Sequence, residues 1–276
     1  MPVLATKDLT IRFGGHVAVN NVTCSFEPGT LTAIVGPNGA GKTTYFNLIS
    51  GQLKASGGSV TLDGMDLSGR SPSERTRAGL GRAFQLTNLF PRLTVLENVR
   101  LAVQATREGG HRRGLNLWSI WSDHQDLIAR AGQILRDVAM ADKAQELVAN
   151  LPHGDQRKLE VALLMALESK VFMFDEPTAG MNASEAPAIL NLIRKLKEDP
   201  AKTILLVEHK MDVVRELADR IIVLHNGALV ADGEPADVIA SPVVHEAYLG
   251  VAPQAVGQDG MPPTPTLPAR GGLEKP

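Results

Sequence analysis

The chain has 276 residues, with 28 lysines and arginines against 30 aspartates and glutamates, and 43% of its residues are hydrophobic. This length allows one large domain or two small ones, and the composition is that of a chain that folds around an apolar core. A charge balance so close to neutral argues against a dedicated nucleic-acid-binding protein, which usually carries an excess of basic residues.

The sequence shows no sign of export or of membrane insertion. It begins MPVLAT, without a basic segment followed by a long apolar one. Its apolar runs stay well below the ~18 residues that a bilayer-spanning helix needs. Cys24 is the single cysteine and cannot form an internal disulfide, which fits a reducing compartment. We therefore expect any work at a membrane to take place through docking to another protein.

The first quarter of the sequence predicts strands separated by turns. Val22–Phe26 is strand-like, and Leu31–Val35 is an apolar, β-branched run typical of a buried parallel strand. A helix is predicted to start near Lys42 and to end near the Ser50-Gly51 pair, because glycine suits the position just past a helix end. Ser59–Leu62 then predicts another short strand.

A glycine-rich loop lies between the strand at 31–35 and the predicted helix. Residues 36–43 read GPNGAGKT, which fits G-x-x-x-x-G-K-[ST] in the strand–loop–helix context that this pattern requires. The glycines let backbone N–H groups surround a chain of phosphates, and the helix N-terminus adds the positive end of its dipole. Lys42 is expected to reach the β- and γ-phosphates of ATP, and the Thr43 hydroxyl to ligate Mg²⁺. The candidate nucleotide-binding residues here are Gly36, Pro37, Asn38, Gly39, Ala40, Gly41, Lys42, Thr43 and Thr44.

The middle of the chain changes to a helical pattern at about Val95. One predicted helix face carries Leu127, Ala131, Ile134, Leu135 and Val138. The pattern predicts a helical subdomain at about 95–155, inserted into an α/β core formed by residues 1–94 and 156–250. After Gly250 the sequence is rich in proline and glycine, and residues 251–276 are predicted to be a disordered tail.

The strand pattern returns in the second half. Buried strands are predicted at Val171–Phe174 and Thr203–Val207, with a helix over Ser184–Glu198 that has Ser184 as its N-cap. An Asn-Gly pair at 226–227 predicts a β-hairpin between the apolar runs on either side, because both positions of such a turn need positive φ.

Two carboxylates follow the first of these strands. Asp175 ends a buried strand, where a charge is costly unless a cation meets it, so we predict that Asp175 holds the metal ion. Glu176 comes next and is predicted to act as general base on the attacking water. His209 follows the neighbouring strand. A histidine at a strand end is often structural, but the carboxyl ends of parallel strands meet at one edge, so a hydrogen bond to the γ-phosphate or to Glu176 is expected.

Together these residues resemble the ATP-binding cassette (ABC) family of transporter ATPases, over nearly everything from Leu4 to Gly250. The resemblance implies an α/β fold: a RecA-like P-loop NTPase core with an antiparallel β subdomain and an inserted α-helical subdomain. It also implies that Gln85 is a catalytic residue and metal ligand that senses a transmembrane partner. Phe13 would stack on adenine, although a core contact is an equal alternative. Residues 177–182, PTAGMN, correspond to the loop that crosses the interface between two ATPase subunits.

The family signature, usually LSGGQ, is altered in this chain. The corresponding residues are Leu151, Pro152, His153, Gly154 and Asp155. Pro152 has neither a hydroxyl nor a backbone N–H, so two potential donors to the partner's γ-phosphate are lost. Asp155 suits the first turn of the following helix but places a negative charge near that phosphate. We therefore expect a weakened site across the interface, which makes a heterodimer with a different, paralogous ATPase subunit more plausible and leaves a homodimer open as the alternative.

Within the family the sequence is most similar to the ATPases of branched-chain amino-acid importers. The similarity is carried by residues 12–16 (RFGGH), 18–22 (AVNNV), 90–99 (FPRLTVLENV), 207–211 (VEHKM) and 246–250 (EAYLG). It implies transport-coupled hydrolysis of ATP to ADP and phosphate, at the cytoplasmic face of the inner membrane. The implied partners are transmembrane permease subunits and, indirectly, an extracytoplasmic solute-binding protein. A long insertion at about 104–123 agrees, and Trp118 and Trp121 within it form either a docking patch or part of the subdomain core.

Other functions are also compatible with the sequence. One alternative is an ABC ATPase of the lipopolysaccharide-export type, and another is a soluble ABC ATPase that serves cluster assembly. A third is a non-hydrolysing regulatory subunit, suggested by Pro152 and Asp155, although the chain keeps its own Lys42, Asp175 and Glu176. The transported solute is ranked by family likeness alone.

Overall fold

The computed structural model describes residues 3–83, 89–107, 125–182, 184–242 and 244. The first half contains β1 (Leu4–Phe13), β2 (His16–Phe26), β3 (Leu31–Val35), α1 (Lys42–Ser50), β4 (Gly57–Leu62), β5 (Met65–Asp66), α2 (Pro72–Arg77), β6 (Leu80–Ala83) and α3 (Val95–Arg107). The second half contains α4 (Gln125–Asp137), α5 (His153–Ala166), β7 (Val171–Asp175), α6 (Ala186–Lys197), β8 (Thr203–Val207), α7 (Met211–Leu217), β9 (Arg220–His225), β10 (Ala228–Gly233) and α8 (Pro235–Ala240).

The central sheet has six strands in the order β10-β9-β3-β8-β7-β6. All neighbouring pairs are parallel except β9 with β10. Ile34 of β3 lies opposite Val207 of β8, and Val207 lies opposite Asp175 of β7. Because these three strands end at the same level, the residues that follow them meet at one edge of the sheet, where open α/β sheets bind ligands.

A second, antiparallel sheet has the order β2-β1-β4-β5. Its apolar face packs with α1 against one side of the central sheet, in a cluster that contains Phe26, Tyr45 and Phe46. The buried Tyr45 hydroxyl forms a 2.8 Å hydrogen bond with the Thr6 hydroxyl of β1. This bond fixes the helix that follows the glycine-rich loop to the antiparallel sheet.

Helices α3, α4 and α5 form the other large part of the core. The predicted apolar face of α4 is buried, and Leu127, Ala131, Ile134 and Leu135 pack in one cluster with Val99 of α3 and Leu159 of α5. That cluster continues to Phe172 and Phe174 of the central sheet. Helix α5 therefore packs against both the helical region and the α/β core. Among the residues that the structure describes, no helix has both the length and the apolar character needed to cross a membrane.

Most predicted strands and helices lie where the sequence indicated. β3 and β8 have the predicted bounds, and in the hairpin Asn226 and Gly227 both have positive φ, 47° and 78°. The expected N-cap of α6 is wrong. The N-cap is Glu185, whose backbone N–H donates to the Asn182 carbonyl. A proline in the first turn, which suits a helix start, follows Glu185.

Candidate nucleotide-binding and catalytic site

Residues 36–41 form a tight loop between β3 and α1, and two of its glycines have no room for a side chain. Gly36 has a φ of 150°, and a Cβ there would lie 2.2 Å from the Leu224 carbonyl oxygen. Gly41 has a φ of 98°, and its Cβ would lie 2.5 Å from the Ala18 carbonyl oxygen. Gly39, by contrast, faces open space. The loop is thus closely packed from behind and open in front, as a cradle for phosphates requires.

Lys42 points back into this loop. Lys42 is only 5% exposed, and its ammonium donates to the carbonyls of Gly36 at 2.7 Å and Pro37 at 2.9 Å. Burial lowers the pKa of Lys42, and the charges of Glu176 and Asp175 act in the opposite direction. A desolvated cation at the start of a helix is well suited to a polyanion, because phosphate oxygens are stronger acceptors than carbonyls.

The exposed side of the loop carries polar groups. Asn38, Gly39 and Thr43 are exposed, while Pro37 and Thr44 are half-buried and Ala40 is buried. The Thr43 hydroxyl and the Asp175 carboxylate are hard oxygen ligands of the kind that Mg²⁺ takes, usually together with phosphate oxygens of the nucleotide. These residues therefore fit a nucleotide bound with Mg²⁺.

Asp175 is bound to an arginine that the sequence analysis missed. Arg82 Nη2 lies 2.7 Å from Asp175 Oδ2, and the two side chains are only 7% and 10% exposed. Burial raises the pKa of Asp175, Arg82 lowers it and Glu176 raises it, and the net direction is upward. The other terminal nitrogen of Arg82 donates to Asn47 Oδ1 and Ser50 Oγ of α1. The available signal was an arginine inside a short apolar strand of a parallel sheet, where a charge needs a partner.

Glu176 and His209 are brought together at the sheet edge. His209 Nε2 lies 2.7 Å from Glu176 Oε1, and each side chain is about two-fifths exposed, at 39% and 40%. Glu176 has a φ of 49°, and its backbone N–H donates to the Val207 carbonyl at 2.9 Å. The left-handed backbone turns the carboxylate out of the sheet and towards the histidine that follows the next strand. The pair can hold and accept a proton at the edge where Lys42 lies.

Phe13 and Gln85 are the two other residues predicted for the site. Phe13 is 51% exposed at the end of β1, so its ring is not in the core and is free to contact a ligand. Gln85 lies outside the described residues, as do Trp118 and Trp121 and the tail 251–276.

The altered signature forms the start of α5. Pro152 is the N-cap, His153 is exposed and Leu151 and Gly154 are buried. Asp155 accepts hydrogen bonds from Lys158, at 2.9 Å, and from Lys143.

Lys143 and Lys158 together determine the charge state of Asp155. Burial raises the pKa of Asp155, but the hydrogen bonds from Lys143 and Lys158 outweigh burial and bring the pKa below its ordinary value. The carboxylate is ionised and balanced by two nearby cations. Asp155 thus carries the negative charge that the sequence indicated, but two lysines balance it. Pro152 still offers neither a hydroxyl nor a backbone N–H to a phosphate.

The fold and the site together define the class of protein: a P-loop ATPase, with a phosphate loop before a helix and acidic residues at the ends of neighbouring parallel strands. Comparison with known proteins gives the family. The family model described as ABC transporter matches residues 19–179. The chain is 38% identical over 252 residues to the high-affinity branched-chain amino acid transport ATP-binding protein LivG of Salmonella typhimurium, a match that covers 91% of this chain and 99% of the relative. The chain belongs to the ABC transporter family.

Solved structures agree with this assignment. The ADP conformation of MJ1267, an ATP-binding cassette of an ABC transporter, has a TM-score of 0.76 and 30% identity, and the match covers 91% of this chain and all of that one. A dimeric, post-hydrolysis state of the cassette MJ0796 with ADP and phosphate has a TM-score of 0.69 and 27% identity, covering 84% of this chain and 98% of that one. As a member of this family the chain is an ATPase that uses ATP with Mg²⁺. It works with a second ATPase subunit and transmembrane permease subunits.

Proposed function

We propose that this chain is the ATPase subunit of an importer for branched-chain amino acids or related small polar solutes, peripheral to the cytoplasmic face of the membrane. The similarity to LivG supports this substrate class, because it extends over nearly the whole of both proteins. The single observation that carries the ATPase role is the 2.7 Å contact between His209 and Glu176, at the sheet edge that also carries Lys42 and Asp175.

Each residue of the site has its own role in the binding and hydrolysis of ATP. The backbone of residues 36–41 and the Lys42 ammonium hold the β- and γ-phosphates of ATP, and Phe13 contacts the adenine. Glu176 accepts a proton from the water that attacks the γ-phosphorus as the bond to the β-phosphate oxygen breaks. His209 holds Glu176 Oε1 and keeps the carboxylate in place. Thr43, Asp175 and Gln85 are the proposed Mg²⁺ ligands, and the ion neutralises charge on the phosphates.

A complete nucleotide site needs residues from two ATPase subunits. Residues 151–155 of one subunit face the nucleotide of the other, with the α5 N-terminus and Gly154 as the remaining phosphate-binding features. Because two lysines balance the charge of Asp155, this residue does not by itself prevent residues 151–155 from binding the nucleotide of the other subunit. Pro152 weakens that binding, because it supplies no donor to the phosphate. Light scattering of Glu176→Gln with Mg-ATP separates the two assemblies: a dimer means that the chain pairs with itself, and a monomer that binds ATP means that its partner is a different ATPase subunit.

The substrate class is tested by reconstitution. The chain, its permease subunits and the binding protein are placed in liposomes loaded with Mg-ATP, and uptake of labelled leucine is compared with uptake of an amide and of urea. The proposal predicts leucine uptake that Glu176→Gln abolishes and that the exposed-carboxylate control Glu198→Gln leaves unchanged. ATP-dependent outward movement of lipid by the same preparation, without leucine uptake, would contradict it.

A further inference from the structure

The loop that follows Glu176 is fixed at its base and exposed at its tip. Pro177 and Thr178 are buried, whereas Ala179 and Gly180 are exposed. The Ala179 backbone N–H donates to the Glu176 carbonyl at 3.0 Å, and the Met181 N–H donates to the Thr178 carbonyl at 3.3 Å. These two turns make the loop compact, so a force on its tip moves its base as well.

The base of this loop is bound to a buried carboxylate from a distant part of the chain. The Thr178 hydroxyl donates to Glu208 Oε1 at 2.8 Å, and it accepts a hydrogen bond from Lys210 Nζ at 3.3 Å. Thr178 and Glu208 are 2% and 3% exposed. A carboxylate buried this deeply is costly unless several donors satisfy it, so its placement here calls for a reason.

The second oxygen of Glu208 holds the backbone that carries the site histidine. Glu208 Oε2 accepts the backbone N–H of His209 at 2.7 Å and that of Lys210 at 3.2 Å. One carboxylate therefore joins the loop after β7 to the loop after β8. His209 in turn contacts Glu176, which begins the first loop, so the connection closes into a ring.

We infer that Glu208 is a positioning residue, which couples the contact of a second ATPase subunit at Ala179–Gly180 to the placement of His209 against Glu176. The inference rests on the proposed function, because the second subunit supplies the contact. Movement of the loop tip changes the Thr178–Glu208 hydrogen bond, and Glu208 passes the change to the His209 backbone. Short hydrogen bonds between buried groups allow little slack at each step.

The first test needs no catalytic activity. Thr178→Val removes the hydroxyl and keeps the shape, while Thr178→Ser keeps the hydroxyl. In the full chain without nucleotide, amide hydrogen exchange at His209 and Lys210 is expected to be about tenfold faster in Thr178→Val, the equivalent of one weakened hydrogen bond to a charged group. Thr178→Ser is expected to exchange like wild type. Unchanged exchange in Thr178→Val, or faster exchange in both variants, would overturn the inference.

The second test separates positioning from binding. For Thr178→Val we expect kcat for Mg-ATP to fall about tenfold while KM changes less than about twofold, and Thr178→Ser to restore kcat. Because Thr178 reaches the His209 backbone through Glu208, adding Thr178→Val to Glu208→Gln should cause little further loss of kcat. Additive losses, or a rise in KM without a fall in kcat, would contradict the coupling.

The coupling through Glu208 and the catalytic role of Glu176 can be disproved separately. If wild type hydrolyses ATP and Glu176→Gln does not, yet Thr178→Val exchanges and turns over normally, the coupling through Glu208 is wrong and the proposed function stands. If Glu176→Gln turns over like wild type, the proposed catalytic role is wrong, and the exchange experiment still decides whether Glu208 holds the two loops together.

Discussion

The Arg82 guanidinium binds the Asp175 carboxylate at 2.7 Å and, through its other terminal nitrogen, Asn47 and Ser50 of the helix that follows the phosphate loop. The predicted metal ligand is thereby connected to helix α1. Burial raises the pKa of Asp175, and Arg82 offsets part of that rise. The guanidinium also lies over the Phe46 ring, 5.1 Å from its centroid.

Replacing Arg82 with methionine is expected to destabilise the protein at neutral pH. The change leaves Asp175 as a buried charge without its cation, which typically costs about 3 kcal/mol in the free energy of unfolding. Without Arg82 the pKa of Asp175 rises further, so the penalty is complete above the folded-state pKa, shrinks as the pH falls below it, and disappears below the ordinary pKa of an aspartate, where the carboxyl is neutral in both states. Urea unfolding at several pH values measures this.

The control for this prediction is the double variant Arg82→Met, Asp175→Asn. Removing the charge should recover part of the stability, so the two effects should not add. Equal destabilisation by Arg82→Met at every pH would contradict the assigned role.

Replacing Lys42 with methionine should separate nucleotide affinity from stability. The ammonium is expected to form charge-assisted hydrogen bonds with phosphates, so its loss should weaken Mg-ATP binding by about 10- to 100-fold. Burial lowers the pKa of Lys42, which means that the folded protein disfavours the charge, so the nucleotide-free variant should be no less stable than wild type. Calorimetric titration and urea unfolding give the two quantities. The exposed Lys54→Met is the matched control, and ATP affinity equal to wild type in Lys42→Met would rule out the assigned contact.

Two glycines of the phosphate loop should respond differently to alanine. Gly36→Ala places a Cβ 2.2 Å from the Leu224 carbonyl oxygen, so β3 or β9 must shift, and we expect a large loss of stability. Gly39→Ala meets no atom within 4 Å and has only its φ of 80° to overcome, at a cost of about 1 kcal/mol. Comparison of the urea midpoints measures the difference, and equal midpoints would show that the close approach at Gly36 is wrong.

The Asp155 carboxylate should stabilise the start of α5 in a pH-dependent manner. Its pKa is raised by burial but brought below the ordinary value of 3.8 by Lys143 and Lys158, so its contribution is present above that value and is lost as the pH falls through the folded-state pKa. Asp155→Asn should therefore be less stable than wild type at neutral pH and should approach it in acid. A stability difference that stays constant with pH would mean that the lysines do not bind the carboxylate.

Local patterns in the sequence predicted the parts of the site that follow strands. The strand–loop–helix context of residues 36–43 and the acidic pair after a buried strand placed Lys42, Asp175 and Glu176 correctly relative to their elements. Parallel strand ends also predicted a hydrogen bond from His209 to the γ-phosphate or to Glu176, and the contact with Glu176 is present at 2.7 Å.

The side-chain partners could not be predicted in the same way. Arg82 and Asp175 are separated by 93 residues, Thr178 and Glu208 by 30, and the pairing of each depends on strand order and register in the folded sheet. The sequence indicated the charge of Asp155 but not its contact with Lys143, which comes from a separate segment that only the fold brings to it. Such contacts are set by tertiary packing, which the local periodicity of a sequence does not reveal.

The most direct test of the account is the turnover of Glu176→Gln in the full chain assembled with its transmembrane partner. Steady-state hydrolysis of Mg-ATP and equilibrium binding of ATP are measured on the same preparation. The account predicts a fall in kcat of about 100-fold or more, as expected for loss of a general base, with ATP affinity close to that of wild type. Turnover equal to wild type would contradict the assignment of Glu176 as the base and, with it, the proposed arrangement of the site.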